Sequence, residues 1–492
     1  MNAALADLDV AALLARLGAY PRRLTVDSRK VEPGVAFAAC RGTAQDGRTF
    51  IPDALARGAA AVLWEQGDFA WHAEWRAPNV GVPNLAQSLG RVADFIYGNP
   101  SRDLWMCGVT GTNGKTTCTH WVAQALDACG RRSAVLGTLG NGLVGAVAPG
   151  THTTPDACTL HELLRQLRTA GARAVAMEVS SHALVQGRVN GVKFDVALFT
   201  NLTRDHLDYH GTMAAYGAAK ARLFAWPTLA SAVINADDEF GRELAAQRRR
   251  QGRKVVTYGL ADADIRATAM RMTAEGLVLQ VTTPAGAGEV AAQVVGAFNA
   301  QNLLGVLGVL LESAVPLPEA LQALSALTPP AGRMQRLGGG AQPLVVVDYA
   351  HTPDALEKVL ASLRPAVRPG RTLWAVFGAG GDRDKGKRPL MGRVAATLAD
   401  RVVVTSDNPR GEEPPAIAEA IVEGIRESGH SAYAVELDRA AAIARAIGEA
   451  APGDVVVVAG KGHEPYQEIA GRRVPFSDLA VAAAALQATE RA

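Results

Sequence analysis

The segment Gly108-Val109-Thr110-Gly111-Thr112-Asn113-Gly114-Lys115-Thr116-Thr117 constrains this chain more than any other stretch. An apolar strand pattern leads into it from Leu104, and a helical pattern follows over about 116 to 129, stopping at Gly130. Glycines let the backbone turn tightly, so that its N–H groups and the helix N-terminus face an anion. Lys115 is spaced to reach outer phosphates, and the Thr116 hydroxyl to ligate Mg2+. The strict P-loop pattern has glycine where this chain has Val109, so the loop is a variant. It is expected to bind a nucleoside triphosphate through Gly111, Thr112, Asn113, Gly114, Lys115, Thr116 and Thr117. Motors, switches, kinases and ligases all use such loops, so the loop names no reaction.

Strand-like runs at 133–136, 173–178, 195–200 and 231–235 follow, with helical patterns between several of them. That alternation implies a largely parallel sheet with ligands at its carboxyl edge. Runs at 344–348, 372–377, 401–405 and 454–459 imply a second α/β unit of Rossmann-like character. Residues 1 to about 100 read as a mixed α/β stretch, and 265–295 as β-hairpin material late in the central segment. Breaks fall at Gly98-Asn99-Pro100-Ser101 and Pro329-Pro330-Ala331-Gly332. A chain of 492 residues is too long for one ordinary core. The expectation is an α/β protein of three domains, 1–100, 101–330 and 331–492.

Composition excludes several classes. A hydrophobic share of 48% with 20% charged residues is that of a soluble globular chain. A net charge of +2 gives no reason to expect a nucleic-acid or membrane partner. The basic run Arg248, Arg249, Arg250, Arg253 and Lys254 fits the end of a solvated helix better than a phosphate site. Five scattered cysteines, with no C-x-x-C spacing, argue against a disulfide framework or structural zinc. Asp7 and Asp9 stand where a signal peptide needs basic and then apolar residues, and the longest apolar stretch, 303–311, is too short to span a bilayer. A cytoplasmic protein is expected.

Glu178 ends the apolar run Ala174-Val175-Ala176-Met177, at the sheet's ligand edge. It is either a Mg2+ ligand or water holder near a γ-phosphate, or an ordinary strand-end glutamate. The polar loop Asn201-Leu202-Thr203-Arg204-Asp205-His206-Leu207-Asp208-Tyr209-His210 follows the strand 196–200. His206 is either a metal ligand or a surface loop residue.

Six motifs then occur in order: G-T-N-G-K-T-T, E-V-S-S-H-A-L, T-N-L-T-R-D-H-L-D-Y-H-G-T-M, D-Y-A-H-T-P-D-A-L, D-N-P-R and G-K-G-H-E. Together they resemble the Mur ligase family over essentially the whole chain. The resemblance implies ATP-dependent amide-bond formation in peptidoglycan precursor synthesis. ATP phosphorylates a D-Glu γ-carboxylate, an amine attacks the acyl phosphate, and the tetrahedral intermediate expels phosphate. Two anions must meet, so cations must neutralise their repulsion. By this resemblance Lys115, Glu178, His206 and Lys220 are catalytic, and Thr116, Glu178 and His206 stand near the Mg2+ ions, two being expected. Lys220 matches a lysine that carries a carbamate, formed from CO2 and able to ligate the second ion.

The resemblance places the UDP-N-acetylmuramoyl-L-Ala-D-Glu substrate on Val26, Ser28, Thr43, Ala44, Gln45, His152, Thr153, Thr154, Ser180, Gln186 and Arg188. Relatives often carry His-Gln where this chain has Thr43-Ala44, and Asn where it has His152. A guanidinium at Arg188 suits phosphate or carboxylate. Asn302, Arg333 and Asp348 are implied around ATP, the last two from a third domain that closes over the central one and excludes water.

Arg383, Asp407, Asn408, Pro409, Arg410, Gly460 and Glu464 are implied around the incoming amino acid. The arginine of Asp407-Asn408-Pro409-Arg410 implies meso-diaminopimelate, whose far carboxylate it would pair. Lysine would leave that guanidinium desolvated and unpaired, a discrimination on the order of a thousandfold or more. The run also reads as a turn that aims Arg410. Sister ligases adding L-lysine or D-Ala-D-Ala, and a folate polyglutamate ligase, are the near alternatives; a non-ligating P-loop protein is the distant one. A monomer is expected.

Overall fold

The computed structural model describes residues 8–42, 45–150, 152–272 and 276–489. Two compact units emerge, 1–265 with 305–323, and 266–304 with 324–492. The α/β class expected from the sequence is present in both.

In the first unit a four-stranded parallel sheet runs in sequence order through Arg23–Thr25, Val35–Ala39, Ala61–Glu65 and Asn79–Val82. Leu13, Leu14 and Leu17 from the helix Val10–Leu17, with Leu89 and Val92 from Leu85–Ile96, pack into its core. The break at 98–101 is a packed turn, with Pro100 and Ser101 buried.

The larger sheet of this unit orders its parallel strands Val255–Gly259, Ser231–Asn235, Val196–Phe199, Trp105–Thr110, Ala174–Glu178, Ser133–Gly137. A hairpin, Gly140–Leu143 and Ala146–Ala148, extends it antiparallel. Ala174–Glu178, Ser133–Gly137 and Ser231–Asn235 are buried at every residue. A parallel sheet covered on both faces reads as continuous apolar runs, which is why these strands stand out in the sequence. Trp105–Thr110 lies between Val196–Phe199 and Ala174–Glu178, so three carboxyl ends distant in sequence meet at one edge.

The basic run departs from expectation. It does end a helix, Glu239–Arg250, but Arg248 is buried and donates to the Phe224 carbonyl. Arg248 falls four residues after the buried Leu244, on the face turned to the core. Arg249 pairs with Asp264 at 3.0 Å and Lys254 with Glu312 at 2.7 Å.

The second unit holds three antiparallel strands, Ile265–Met272, Leu277–Thr283 and Gly286–Ala292, where hairpin material was expected. Its six-stranded sheet runs Gln335–Gly338, Leu344–Asp348, Val455–Ala459, Leu373–Phe377, Arg401–Val404, Tyr433–Val435, parallel except for the first pair. Leu356, Leu360, Met391 and Ile421 cover one face; Ile443, Ile447, Ala482 and Leu486 cover the other. The break at 329–332 is again packed: a Cβ on Gly332 would lie 2.1 Å from the His463 nitrogen.

Two ion pairs shape this unit. Arg439 and Asp478 are both fully buried and joined bidentately at 2.7 and 2.8 Å. The guanidinium also donates to the carbonyls of Ala459 (3.0 Å) and Ser406 (3.3 Å). A buried pair survives when its geometry is good and its remaining donors are satisfied, as here. Glu412 accepts from Arg388 at 2.9 and 3.0 Å and from the Asp382 backbone at 2.6 Å. The Arg388 bonds, then the backbone bond, hold its carboxyl down at about 2.

Because that value is depressed in the folded state, the contribution is complete above the ordinary glutamate range and is lost as pH falls toward about 2. Glu412→Gln should therefore flatten the acid limb of the thermal midpoint below pH ~4.5. An unchanged acid limb refutes the pinning role. No helix among the described residues is long and apolar enough to cross a membrane.

Candidate active site

The P-loop is tied to the neighbouring strand end. Thr112 N–H donates to the Asn201 carbonyl at 2.8 Å and Asn113 N–H to Asn201 Oδ1 at 2.9 Å. Thr200 Oγ1 donates to the Asn113 carbonyl at 2.6 Å. A Cβ at Gly111 would sit 1.8 Å from Thr200 Oγ1, so only glycine lets the loop approach this strand. Gly114 caps the helix Lys115–Ala128 in the left-handed region, and Thr116 and Thr117 are buried in its first turn. The Lys115 ammonium donates to the carbonyls of Gly111 and Thr112, both at 2.9 Å.

Glu178 is buried at the end of its strand. Its buried carboxylate accepts from Thr116 Oγ1 (3.0 Å) and from the backbone (2.8 Å) and hydroxyl (3.3 Å) of Thr138. Thr138 Oγ1 also lies 3.0 Å from Thr153 Oγ1, and Thr154 donates to the Glu178 carbonyl at 2.8 Å. Ser180 caps the short helix Ser181–Val185 and meets Thr154 at 3.3 Å. Arg188 donates to the Thr154 carbonyl (2.9 Å) and to Gln186 Oε1 (2.8 Å), and burial pulls its pKa down. The structure thus gathers Thr153, Thr154, Ser180, Gln186 and Arg188 around the carboxyl end of one strand. Thr138, which completes that group, has no motif spacing to mark it.

Lys220 lies on the helix Met213–Phe224 and is buried. Its ammonium nitrogen is 2.7 Å from the Gly111 carbonyl and 4.3 Å from the Tyr216 ring centroid. Burial, and then the charge of Lys115, hold its pKa well below the ordinary lysine value. His206 begins the short helix at Leu207–His210 in the left-handed region (φ 52°), with Asp205 at 3.4 Å. Its ring stands 4.9 Å from that of His182 and 6.1 Å from that of Tyr216. Burial lowers its pKa against the pull of Asp205, and Lys115 and Lys220 lower it further. His182 and Tyr216 therefore flank His206, and the His210 ring lies 5.5 Å from that of His182 and 5.1 Å from that of Tyr216, a grouping the sequence reading missed.

Toward the N-terminus, Ser28 is buried, Val26 is exposed, and Asp27 accepts from the Arg29 backbone at 3.0 Å. Gln45 receives the Gly42 N–H at 3.0 Å, whereas Thr43 and Ala44 lie outside the described residues. His152 is exposed.

In the second unit, Asp348 is buried with its two oxygens accepting from Met334 and Ala350 N–H at 2.8 Å each. Burial raises its pKa against Arg333, whose guanidinium lies 4.9 Å from the Tyr349 ring centroid. Asn302 donates to Asn299 at 2.9 Å. Asn408 donates to Glu464 Oε2 at 2.8 Å, and the fully buried Lys461 donates to both Asn408 Oδ1 and Glu464 Oε2 at 2.9 Å. One Glu464 oxygen is thus already engaged by protein, through Lys461, a contact the sequence reading passed over. Gly460 lies against Asp407, where a Cβ would be 2.5 Å from Oδ2. Arg410 donates to the Gly381 carbonyl at 2.8 Å, while Arg383 is exposed.

Family models match residues 22–97 (Mur ligase family, catalytic domain), 109–310 (Mur ligase middle domain) and 332–462 (Mur ligase, glutamate ligase domain). The chain is 54% identical over 486 residues to a UDP-N-acetylmuramoyl-L-alanyl-D-glutamate–2,6-diaminopimelate ligase of Chromobacterium violaceum, covering 99% of this chain and 98% of the relative. It belongs to the Mur ligase family.

A Pseudomonas aeruginosa ligase of the same name is 52% identical over 471 residues, covering 95% and 96% of the two chains. A solved structure of a ligase with that name superposes with a TM-score of 0.72 at 39% identity, over 96% of this chain and 95% of the other. Mur ligases use ATP, generally with Mg2+. The paired, buried Thr116 hydroxyl and Glu178 carboxylate fit that cation, which takes one or two carboxylates together with substrate phosphates and water. Among the described residues, no three His, Cys, Asp or Glu side chains converge on one point.

Proposed function

We propose that this Mur ligase joins meso-2,6-diaminopimelate to the D-Glu γ-carboxylate of UDP-N-acetylmuramoyl-L-Ala-D-Glu, converting ATP to ADP and phosphate, in peptidoglycan precursor synthesis. The observation that carries the reading is the 54% identity over nearly the full length of a diaminopimelate-adding relative. Arg410 and Glu464 add a physical reason: a cation and an anion suit the carboxylate and ammonium at the far end of diaminopimelate. ATP and a UDP-linked co-substrate favour a cytoplasmic reaction.

Lys115 and the loop N–H groups hold the triphosphate and offset its repulsion of the substrate carboxylate. Thr116 and Glu178 would hold Mg2+, with His206 beside them; the ion supplies charge neutralisation at the transferring phosphoryl group. Arg188, Thr153, Thr154, Ser180 and Gln186 orient the muramoyl peptide, with Val26, Ser28, Thr43, Ala44, Gln45 and His152 toward its nucleotide. Asn302, Arg333 and Asp348 serve ATP. Arg383, Asp407, Asn408, Pro409, Arg410, Gly460 and Glu464 receive the amino acid.

Lys220 is suited to carbamate formation, since its depressed pKa supplies a neutral amine. The nitrogen adds to CO2, a proton leaves to water, and the neutral amine becomes an anion that would ligate a second Mg2+. Lys220→Ala should lose activity and regain part of it with added formate or acetate. Failure of every short carboxylate to rescue this variant refutes the carbamate.

The direct test is phosphate release with ATP, Mg2+ and UDP-N-acetylmuramoyl-L-Ala-D-Glu, comparing meso-diaminopimelate with L-lysine. Dependence on diaminopimelate with a ligated product by mass is expected. Turnover with lysine instead refutes the amino-acid assignment.

A further inference from the structure

Arg410 is fixed more firmly through its backbone than through its side chain. Its N–H donates to the Glu468 carbonyl at 2.9 Å, and its own carbonyl accepts from Ala470 at 2.8 Å. That bridge holds Arg410 beside the hairpin Tyr466–Ile469 and Arg472–Pro475, with φ at 53°. The side chain is held more loosely. One nitrogen donates to the Gly381 carbonyl at 2.8 Å, and Nε stands 3.5 Å from Glu468 Oε2. Both side chains of this ion pair are about a quarter exposed, at 23% and 27%. At that distance and exposure the pair is screened and replaceable.

We propose that Glu468 determines how strictly the pocket selects an amino acid with a distal carboxylate, by competing with that carboxylate for Arg410. The inference rests on the assignment of Arg410 to the substrate. An incoming carboxylate gains a charge-assisted fork on the guanidinium, but it must enter beside an existing anion. Lysine brings no carboxylate. Glu468 then keeps Arg410 partnered, which removes much of the penalty for an unpaired guanidinium. Glu468 therefore weakens the right substrate and tolerates the wrong one, so it narrows the gap between them.

The test compares Glu468→Gln with Arg410→Ala and the unaltered enzyme. In Glu468→Gln the KM for meso-diaminopimelate should fall about threefold, the size of effect a partly exposed ion pair allows. Lysine-dependent phosphate release should fall in the same variant. General damage to the pocket would instead raise the diaminopimelate KM. A diaminopimelate KM that is unchanged or raised in Glu468→Gln, while Arg410→Ala raises it strongly, overturns the role of Glu468. A diaminopimelate KM unchanged in Arg410→Ala overturns the assignment of Arg410 itself, and this inference with it.

Discussion

Lys115→Ala should reduce phosphate release with all substrates present by about a hundred- to a thousandfold, the usual cost of one aimed electrostatic donor. Lys115 is the first residue of its helix, and its ammonium lies over the Gly111 and Thr112 carbonyls at 2.9 Å, within the loop proposed to face the phosphates. Without it, two anionic substrates must approach each other with one fewer positive charge. The variant has a second effect. The charge of Lys115 helps to hold down the pKa of Lys220, so its removal should let Lys220 take up a proton more readily and form a carbamate less readily. Steady-state phosphate release measures the loss, and near-normal turnover would falsify the P-loop assignment.

Arg410→Ala should raise the KM for meso-diaminopimelate about a hundredfold and leave ATP binding unaltered. Truncating one member of a charge pair leaves the other member short of a partner, here the substrate carboxylate. In the unaltered enzyme, discrimination against lysine should fall short of the roughly thousandfold the motif alone suggests. Arg410 keeps the Gly381 carbonyl and Glu468 as partners, so it is never wholly stripped of them. Initial rates against diaminopimelate, alongside ATP titration, separate the two. An equal loss in both would mean that the variant disturbs the unit generally.

The sequence made the strand–loop–helix at 105–128 legible because its strands are buried on both faces and its glycines punctuate them. It also led to Glu178, as the residue ending an apolar run. It did not lead to Thr138, whose hydroxyl and N–H both reach Glu178 from 40 residues away. Nor did it mark Lys461, although G-K-G-H-E is among the motifs. A lysine in a glycine-rich run looks solvated until Asn408, 53 residues earlier, and Glu464 enclose it. Arg248 failed for the same reason: a helix-end arginine reads as exposed, and only the packing of Leu244 beneath it shows which face is turned inward. Local pattern identifies elements and strand ends. Pairings across long separations belong to the folded chain.

The Arg439–Asp478 pair gives the C-terminal helix a part in recognition that its position in the chain conceals. Asp478 is the first residue of Asp478–Thr489, and through Arg439 it steadies the carbonyls of Ser406 and Ala459. Those carbonyls immediately precede Asp407 and Gly460, on the two loops assigned to the incoming amino acid. The last described helix is thus a keystone: removing it would unseat the loops proposed to receive the amino acid. On the proposed assignment of those loops, substrate choice is therefore sensitive to a change at Asp478, a residue that would touch no substrate.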